Sequence, residues 1–325
     1  MDRLTYIGQR ALKGLFVLVG IIVLAFVLVR LAPGDPAMVI AGEAGAADEL
    51  FLAQLRQDFG LDQPLAMQLG IYLKNVLSLD LGFSYRQQRP VLLVLGEKLP
   101  ATLLLTGTAF VLSLIVGVVL GVLASVRAGR WSDSFITLVA LFFYATPIFW
   151  VGLMGIILFS VNLGWLPAYG MYTIGAGLTG AALALDVAWH LVLPALTLAL
   201  FHMALYARMT RASMLEVRDH DFVRTARAKG LSNARIVRRH VLRNAILPVI
   251  TMAGVNAGYL LGGSIVVETV FAWPGIGRVA FDAVMQRDYN VLLGVFVLTS
   301  TMVILVNLAT DVLYTFIDPR IELAA

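Results

Sequence analysis

Few residues of this chain have both the type and the spacing that chemistry requires. The 325 residues include no cysteine, so disulfides, thiolate metal ligands and thiol nucleophiles are excluded. No two of the four histidines have the His-x-x-x-His spacing of helical metal ligands. These histidines are His190, His202, His220 and His240. No Gly-Lys dipeptide occurs, so the chain lacks the phosphate-binding loop of Walker-type ATPases. We therefore expect no catalytic site, no metal site and no cofactor on this chain.

The segment Asp221–Gly230 has the most distinctive pattern of charge, and it reads Asp-Phe-Val-Arg-Thr-Ala-Arg-Ala-Lys-Gly. Asp221 is a suitable N-cap, and Gly230 can adopt the left-handed conformation that ends a helix. The apolar face of this helix consists of Phe222, Val223 and Ala226. A helix of about two to three turns is unstable alone in water, so it needs a surface to pack against.

Charge alone leaves several interpretations of this segment open. A solvated loop between membrane spans is the simplest, because basic residues collect on the cytoplasmic side of membrane proteins. Anionic lipid headgroups are a second possible ligand, since they attract arginines clustered near a span. Nucleic acid is the least favoured ligand, because the basic residues lack interleaved aromatic side chains. A docking helix for a soluble partner is the remaining interpretation.

The composition places these residues in a membrane protein. Hydrophobic residues make up 60% of the chain and charged residues 14%, and the mean hydropathy is +0.87. A helix needs about 20 apolar residues to cross the bilayer. The apolar runs near this length, which contain at most one charged residue each, are 14–31, 100–126, 134–160, 188–208, 246–267 and 291–316. We expect an all-α integral membrane protein of six transmembrane helices, interrupted at Pro147 and Pro194. Gly117 and Gly121 have a spacing that lets helices approach closely.

The first of these runs could instead be the apolar core of a cleaved signal peptide. It ends at Arg30 and Leu31 rather than at a small-residue cleavage site, which favours a retained span.

The distribution of basic residues predicts the orientation of the spans. They cluster before the first span and between Arg208 and Arg243, whereas residues 161–187 contain no Lys or Arg. The positive-inside rule therefore predicts that both termini lie in the cytoplasm.

The connection 32–99 is predicted to be a helical region on the outer surface. Asp48 can cap one helix that ends near Phe59, and Pro64 can start a second. The apolar stripe of the second helix is Leu65, Leu69, Tyr72 and Val76. The sequence predicts four divisions of the chain. Residues 1–31 are the N-terminal tail with the first span, and residues 32–99 are this outer region. Residues 100–317 are the transmembrane domain, with its cytoplasmic loop at 209–245, and residues 318–325 are a cytoplasmic tail.

Several short blocks along the chain resemble those of one protein family. They are Leu31–Ala37, Gly60–Pro64, Asp80–Ser84, Leu99–Leu103, Val266–Phe271, Trp273–Gly277 and Asp318–Arg320. In this order they resemble blocks of the ABC importer permeases of the dipeptide, oligopeptide and nickel type, and specifically of the B-type member of the permease pair. The resemblance covers essentially the whole chain. It implies the type-1 ABC importer permease fold, with a short helical insertion on the periplasmic side.

Residues 221–248 resemble the cytoplasmic EAA loop of these permeases, whose coupling helix docks on an ATPase subunit. The Glu-Ala-Ala of the general motif falls on Arg224, Thr225 and Ala226, and its glycine falls on Gly230. The first two positions depart from the general motif, which puts in doubt any role that needs a carboxylate at position 224. The resemblance assigns the docking role to Asp221, Phe222, Val223, Arg224, Thr225, Ala226 and Gly230.

The resemblance also implies a function. It implies a permease subunit of an ATP-driven importer that moves dipeptides or oligopeptides across the bacterial inner membrane by alternating access. The implied partners are a second homologous permease, two ATP-binding subunits that hold ATP and magnesium, and a periplasmic or lipid-anchored substrate-binding protein. Importers of nickel, glutathione or opines from the same family remain open. A secondary transporter, which is a different class of protein, would need several ionisable groups buried in the membrane.

Ionisable residues inside the spans are candidates for a gate or a passage. Asp311 lies in the sixth span, and Arg208 or Arg211 is its expected partner. Glu268 ends the fifth span, where it could fix the following turn or face the passage. The full set of candidates is Glu268, Asp311, His202 and Pro147.

Overall fold

The computed structural model describes residues 3–31, 63–84 and 86–317, and nearly all of these are helical. The first helices are α1 (Arg3–Leu31), α2 (Leu65–Leu77), α3 (Val91–Val126), α4 (Trp131–Ala145) and α5 (Ile148–Gly155, continued in wider turns over Ile156–Asn162). They are followed by α6 (Gly180–Arg218), α7 (Asp221–Ala228), α8 (Asn233–Arg235, continued in wider turns over Ile236–Val241), α9 (Leu242–Val270), α10 (Ile276–Gln286) and α11 (Tyr289–Ile317). An antiparallel hairpin of β1 (Phe83–Ser84) and β2 (Arg89–Pro90) precedes α3. The predicted helix from Asp48 and the tail 318–325 lie outside the described residues.

Five helical segments of the described chain are long and apolar enough to cross a membrane, and one bent pair brings the number to six. The five segments are Gly8–Leu28, Val91–Val126, Gly180–Arg218, Asn233–Leu260 and Tyr289–Val312. The bent pair consists of α4 and the α5 segment, Trp131–Ala145 and Ile148–Asn162. The six predicted spans lie, in chain order, on α1, α3, this bent pair, α6, α9 and α11. The expected all-α architecture of six spans is therefore confirmed, with the bent pair counted as one span.

Proline has opposite effects at two positions. Pro147 separates α4 from α5, and the helical axis bends by 106° there. Pro147 has no N–H to donate, and Thr146 has the extended backbone that a following proline favours (φ −87°, ψ 134°). Pro194 lies inside the continuous helix α6, so the interruption predicted there is wrong. Leu193 and Ala195 are buried on either side of Pro194, and their packing stabilises the helix across the missing hydrogen bond.

Of the described residues, 3–31, 63–84, 86–100 and 275–308 form one compact unit. Its core joins the start of α3 to α10 and α11 through Val91, Val94, Leu95, Ile276, Val279, Ala280, Ala283, Val291 and Val295. The hairpin lies against the turn between α10 and α11. There Ser84 Oγ donates a hydrogen bond to Asp288 Oδ2 at 2.5 Å, and Asn290 Nδ2 donates to the Phe83 carbonyl at 2.9 Å. The hairpin and this turn are therefore held together by side chains from both.

Helix α2 belongs to the same unit and begins directly after Pro64, as predicted. The ring of Tyr72 stacks on the ring of Phe26 in α1 at a centroid distance of 5.8 Å. Val76 is buried, whereas Leu65 at the start of the helix is 63% exposed. The predicted apolar stripe is therefore covered at its end and exposed at its beginning.

The second unit comprises the described residues 101–274 and 309–317. Its largest core joins α3, α6 and α9 through Ala101, Leu105, Ala109, Leu191, Leu193, Ala195, Leu198, Ala199, Leu260, Val267, Phe271 and Trp273. Helix α3 meets α6 at Gly117 and Gly121. A Cβ atom on Gly121 would lie 2.6 Å from the Ala207 carbonyl oxygen. The predicted close approach at these glycines is therefore confirmed.

Candidate functional site

Two side chains anchor helix α7 to the rest of the chain. Val223 is 0% exposed and Ala226 is 4% exposed, because both pack against the end of α6 and the residues that lead into α9. The other buried members of this cluster are Met214, Ile236, Val241 and Ala245. Their packing supplies the surface that so short a helix needs for its stability. A displacement of α7 would therefore act on α6 and α9 together.

Phe222 differs from the two anchoring residues. Its side chain is 41% exposed, and its ring meets the ring of His220 edge-on at a centroid distance of 5.7 Å. The sequence predicts one apolar face for this helix, but in the structure part of that face is buried within the chain and part is exposed. Val223 and Ala226 hold the helix, whereas Phe222 presents apolar surface that a second protein could bury.

Helix α7 begins one residue before the predicted position. The N–H groups of Val223 and Arg224 donate to the His220 carbonyl at 3.0 and 3.3 Å, so His220 is the N-cap and Asp221 is the first helical residue. The prediction of Asp221 as the N-cap is therefore wrong by one position. The Asp221 carboxylate still lies in the first turn, where the helix dipole favours negative charge.

The motif positions that depart from Glu-Ala face solvent. Arg224 Nη1 lies 3.4 Å from Asp221 Oδ1, and the two side chains are 70% and 96% exposed. Thr225 is also exposed, and its Oγ1 donates to the Asp221 carbonyl at 3.0 Å. A pair of charges as exposed as these contributes little to folding stability. Arg224 and Thr225 are therefore available for contact with another protein.

Gly230 ends the segment in the predicted left-handed conformation, with φ of +75°. Its N–H donates to the Arg227 carbonyl at 2.9 Å, and the Leu231 N–H donates to the Ala226 carbonyl at 3.3 Å. These bonds satisfy carbonyl groups that the helix end would otherwise leave unpaired. The chain then turns at Ser232, the N-cap of α8, into the helix that continues as α9. The glycine therefore makes possible the abrupt return of the chain to the spans.

The passage candidate Glu268 lies at the end of α9 with its side chain fully buried. Thr102 Oγ1 donates to Glu268 Oε1 at 2.8 Å, and the Trp273 N–H donates to the Glu268 carbonyl at 2.8 Å. Trp273 Nε1 in turn donates to the Ala101 carbonyl at 2.9 Å. Within this chain, Glu268 therefore lies where it can hold the turn after α9 against α3.

The other ionisable candidates lie on separate helices. His202, on α6, is 7% exposed, and its Nδ1 lies 3.5 Å from the Leu198 carbonyl oxygen. Its ring lies beside the rings of Phe201 and Tyr206. Asp311, on α11, is half-buried. Within the described ranges, no group of three or more His, Cys, Asp or Glu side chains could hold a metal ion.

A partly buried ion pair between Asp133 and Arg211 is absent from the predictions made from sequence. Arg211 donates from Nε to Asp133 Oδ1 at 2.6 Å and from Nη2 to Oδ2 at 2.8 Å. The Gly129 N–H also donates to Oδ2, at 3.0 Å. The sequence signal that could have predicted this pair is the Asp133 carboxylate, which lies in the first turn of an otherwise uncharged helix and therefore needs a partner. This pair connects α4 to α6.

The pairing of Arg211 with Asp133 corrects the partner expected for Asp311. Arg208, the other expected partner, lies over the ring of Tyr144 instead, with its guanidinium carbon 5.4 Å from the ring centroid. Both arginines are therefore bound within the α4–α6 region, because antiparallel packing of these helices places them beside α4.

Comparison with known proteins gives matches along most of the chain. The sequence model described as "Binding-protein-dependent transport system inner membrane component" matches residues 117–323, and the N-terminal model of the same kind of component matches residues 3–106. The dipeptide transport system permease protein DppB of Alkalihalophilus pseudofirmus is 38% identical over 336 residues, which cover 98% of this chain and 99% of that protein. The glutathione transport system permease protein GsiC of Escherichia coli K12 is 43% identical over 319 residues, with 98% and 99% covered.

A solved structure supports the fold. A chain of the MetNI methionine ABC transporter in an inward-facing conformation matches with a TM-score of 0.55 and 21% identity. The match covers 69% of this chain and 96% of that one. At this identity the likeness concerns the fold alone, which is that of a type-1 ABC importer permease. The family models and the relatives together show that the chain belongs to the binding-protein-dependent transport system inner membrane components, the permease subunits of ABC importers.

Proposed function

We propose that this chain is one of two homologous permeases in an importer that carries short peptides, glutathione among them, across the inner membrane. The names of the relatives DppB and GsiC support this class of solute. ATP and magnesium bind to two separate ATP-binding subunits, and a substrate-binding protein delivers the solute from outside. Both termini and the loop 209–245 lie in the cytoplasm, because that orientation places the basic residues on the inner side.

The observation that carries the proposal is the division of the apolar residues of α7. Val223 and Ala226 are buried within this chain, while Phe222 is 41% exposed at the edge of a basic loop. In the assembled transporter, Phe222 inserts into a groove of an ATP-binding subunit and Arg224 lies at the rim of that contact. Aromatic residues and arginine are enriched among the residues that contribute most to binding energy.

The packing of α7 supports a mechanical link to the spans. When ATP brings the two ATP-binding subunits together, α7 moves with the subunit on which it docks. The cluster around Val223 transmits that displacement to α6 and α9, and the Asp133–Arg211 pair carries it from α6 to α4. Packed cores respond as units rather than by continuous deformation, so the spans change between two arrangements.

The hairpin and the turn that carries Asp288 form the proposed outer contact for the binding protein. The bonds from Ser84 to Asp288 and from Asn290 to the Phe83 carbonyl join the two segments. Arg86 and Arg89 are exposed on this hairpin, and Arg86 Nη2 donates to the Gln286 carbonyl at 3.1 Å. These bonds hold the two strands in place before the binding protein arrives, which lowers the entropic cost of association.

The substitution Phe222→Asp tests the docking role of α7. An exposed carboxylate in place of the phenyl ring should prevent insertion into an apolar groove, while the packing of Val223 keeps the permease folded. We expect at least a tenfold loss of peptide uptake and loss of the ATP-binding subunits from the purified complex, since a central contact residue is worth about 2 kcal/mol or more. Membrane insertion of the permease should stay normal.

Phe281→Asp is a matched control for this experiment. Phe281 lies in α10 and is 42% exposed, so the change in surface chemistry is the same at a position outside α7. We expect this variant to retain its ATP-binding subunits. Normal uptake and normal retention of the ATP-binding subunits in the Phe222→Asp transporter would show that α7 is not the docking helix.

A further inference from the structure

An exposed arginine lies over stacked aromatic rings near the break at Pro147. The Arg208 guanidinium carbon is 5.4 Å from the centroid of the Tyr144 ring, and the rings of Tyr144 and Phe201 stack at 5.0 Å with an interplanar angle of 14°. Arg208 is exposed and Tyr144 is 40% exposed. Among the described residues, no carboxylate pairs with Arg208; the neighbouring pair with Asp133 belongs to Arg211.

The position of Arg208 along its span indicates whether its guanidinium faces lipid, protein or water. Tyr144 is about 16 Å farther along α4 than Asp133, at a rise of about 1.5 Å per residue. Arg208 is the last residue of the predicted span 188–208 and lies one turn before Arg211, so its side chain extends from the proposed cytoplasmic end of the span to reach the Tyr144 ring, inside a hydrocarbon core about 30 Å thick. A guanidinium that faces lipid tails is strongly unfavourable, so arginines in membrane spans face the bundle interior or a water-filled cavity, or extend to the interface when they lie near a helix end.

The break at Pro147 gives independent support for a water-filled cavity. Proline has no N–H for the Phe143 carbonyl, and Thr146 is extended rather than helical. Non-helical backbone at membrane depth is tolerated where it is buried in protein or lines a cavity. Thr146 and Pro147 directly follow the turn that carries Tyr144. Tyr144, whose ring lies under the Arg208 guanidinium, is therefore within one helical turn of this break.

We propose that Arg208, held over the Tyr144 ring that stacks on Phe201, binds the carboxylate of the solute during its passage through the membrane. A guanidinium donates paired hydrogen bonds to a carboxylate, and these charge-assisted bonds are stronger than neutral ones. Cation–π attraction to Tyr144 holds the guanidinium in place, and the exposed aromatic surface receives an apolar side chain of the solute. The proposal rests on the proposed import of peptides, which carry a terminal carboxylate.

The lack of cysteine in this chain permits a test of the site that requires no transport. In the complete transporter, with cysteine-free partner subunits, Tyr144→Cys is exposed to two methanethiosulfonates, one bearing a sulfonate and one a trimethylammonium group. We expect modification from water, with the anionic reagent favoured about tenfold after correction for its reactivity with free cysteine, because of the nearby guanidinium. Adding Arg208→Gln should remove this preference.

Phe142→Cys is the matched control. Phe142 is 52% exposed and is separated from Tyr144 by about 200° around α4, so it lies at nearly the same depth on the opposite face. We expect it to face lipid and to react at least tenfold more slowly. Equal reaction at the two positions, or a preference for the anionic reagent that survives Arg208→Gln, overturns the proposal.

Uptake then tests the assignment of the solute carboxylate. Arg208→Gln should lower dipeptide uptake about tenfold, the effect of losing a charge-assisted hydrogen bond, and Arg208→Lys should recover part of it. ATPase activity stimulated by the loaded binding protein should stay within about twofold. Arg218→Gln, at the exposed end of the same helix, should keep normal uptake. Normal uptake by Arg208→Gln overturns the assignment, whereas failure of the unaltered transporter to import any peptide contradicts the proposed function itself.

Discussion

Asp133 combines deep burial with complete hydrogen bonding. Its carboxylate accepts two bonds from Arg211 and one from the Gly129 N–H, and the residue is only 4% exposed. Burying a charge is unfavourable unless it is paired in this way. The Arg211 side chain is 32% exposed, so water reaches part of the pair and moderates the loss when one partner is removed. The pair therefore contributes mainly by making alternative arrangements of α4 and α6 unfavourable.

The substitution Asp133→Asn should destabilise the permease by about 2 kcal/mol, because it leaves the Arg211 guanidinium partly buried without its counter-charge. Thermal unfolding of the detergent-purified protein measures this loss. Asp219→Asn is the control, since Asp219 is exposed at the end of α6 and should leave the melting temperature unchanged. In the double variant Asp133→Asn/Arg211→Gln the loss should be smaller than the sum of the two single losses. Additive losses would contradict a direct energetic coupling.

The contact between α3 and α6 depends on glycine. Built on Gly117, a Cβ atom would lie 2.8 Å from the Met203 carbonyl oxygen, and on Gly121 it would lie 2.5 Å from the Thr210 Cβ. Both distances are shorter than any ordinary contact between such atoms. Because carbonyl groups of the α6 backbone stand in the way, a side chain here cannot be accommodated by a rotamer change alone. The two glycines therefore set the separation of the two helices.

Gly121→Ala should consequently destabilise the protein by about 1–3 kcal/mol through overpacking. Gly107→Ala, in the same helix, is the control, since a Cβ there would meet nothing within 4 Å. Alanine favours helix more than glycine does, so the control should be neutral or slightly stabilising. Melting temperatures of the two purified variants compare the effects directly. Equal stability of the two variants would show that α3 can move away from α6 without cost.

The elements differ in how far sequence alone could predict them. Apolar runs with at most one charged residue predict the spans well, because an unpaired charge in lipid is strongly unfavourable. The effect of a proline is harder to predict, since Pro147 breaks a helix whereas Pro100, Pro194 and Pro248 lie inside continuous helices. For α7, composition predicts the helix and its glycine end. Sequence does not predict that Phe222 stays exposed while Val223 and Ala226 are buried. That difference depends on the cluster around Val223, whose members are distant in sequence.

At the scale of the whole molecule, the proposed function requires two separate contacts with soluble partners. In the topology we propose, α7 meets the ATP-binding subunit in the cytoplasm, and the hairpin with the Asp288 turn meets the binding protein outside. Each contact is held by its own set of interactions: the cluster around Val223 on one side, and the hydrogen bonds of Ser84 and Asn290 on the other. Substitutions at the two contacts should therefore affect different steps of transport.

Ser84→Ala tests this separation from the outer side. It removes the hydroxyl that donates to Asp288 Oδ2 and accepts from the Gln87 N–H at 3.1 Å, which should loosen the hairpin. We expect half-maximal uptake to require about fivefold more loaded binding protein, which corresponds to the loss of about 1 kcal/mol for one hydrogen bond. The ATP-binding subunits should copurify with the Ser84→Ala permease as they do with the unaltered one, whereas Phe222→Asp should lose them.

Ser78→Ala is the control, because the Ser78 hydroxyl is exposed and donates only to the Lys74 carbonyl of its own helix. Loss of the ATP-binding subunits from the Ser84→Ala transporter, or an unchanged requirement for binding protein, would contradict the assignment of the hairpin to the outer contact.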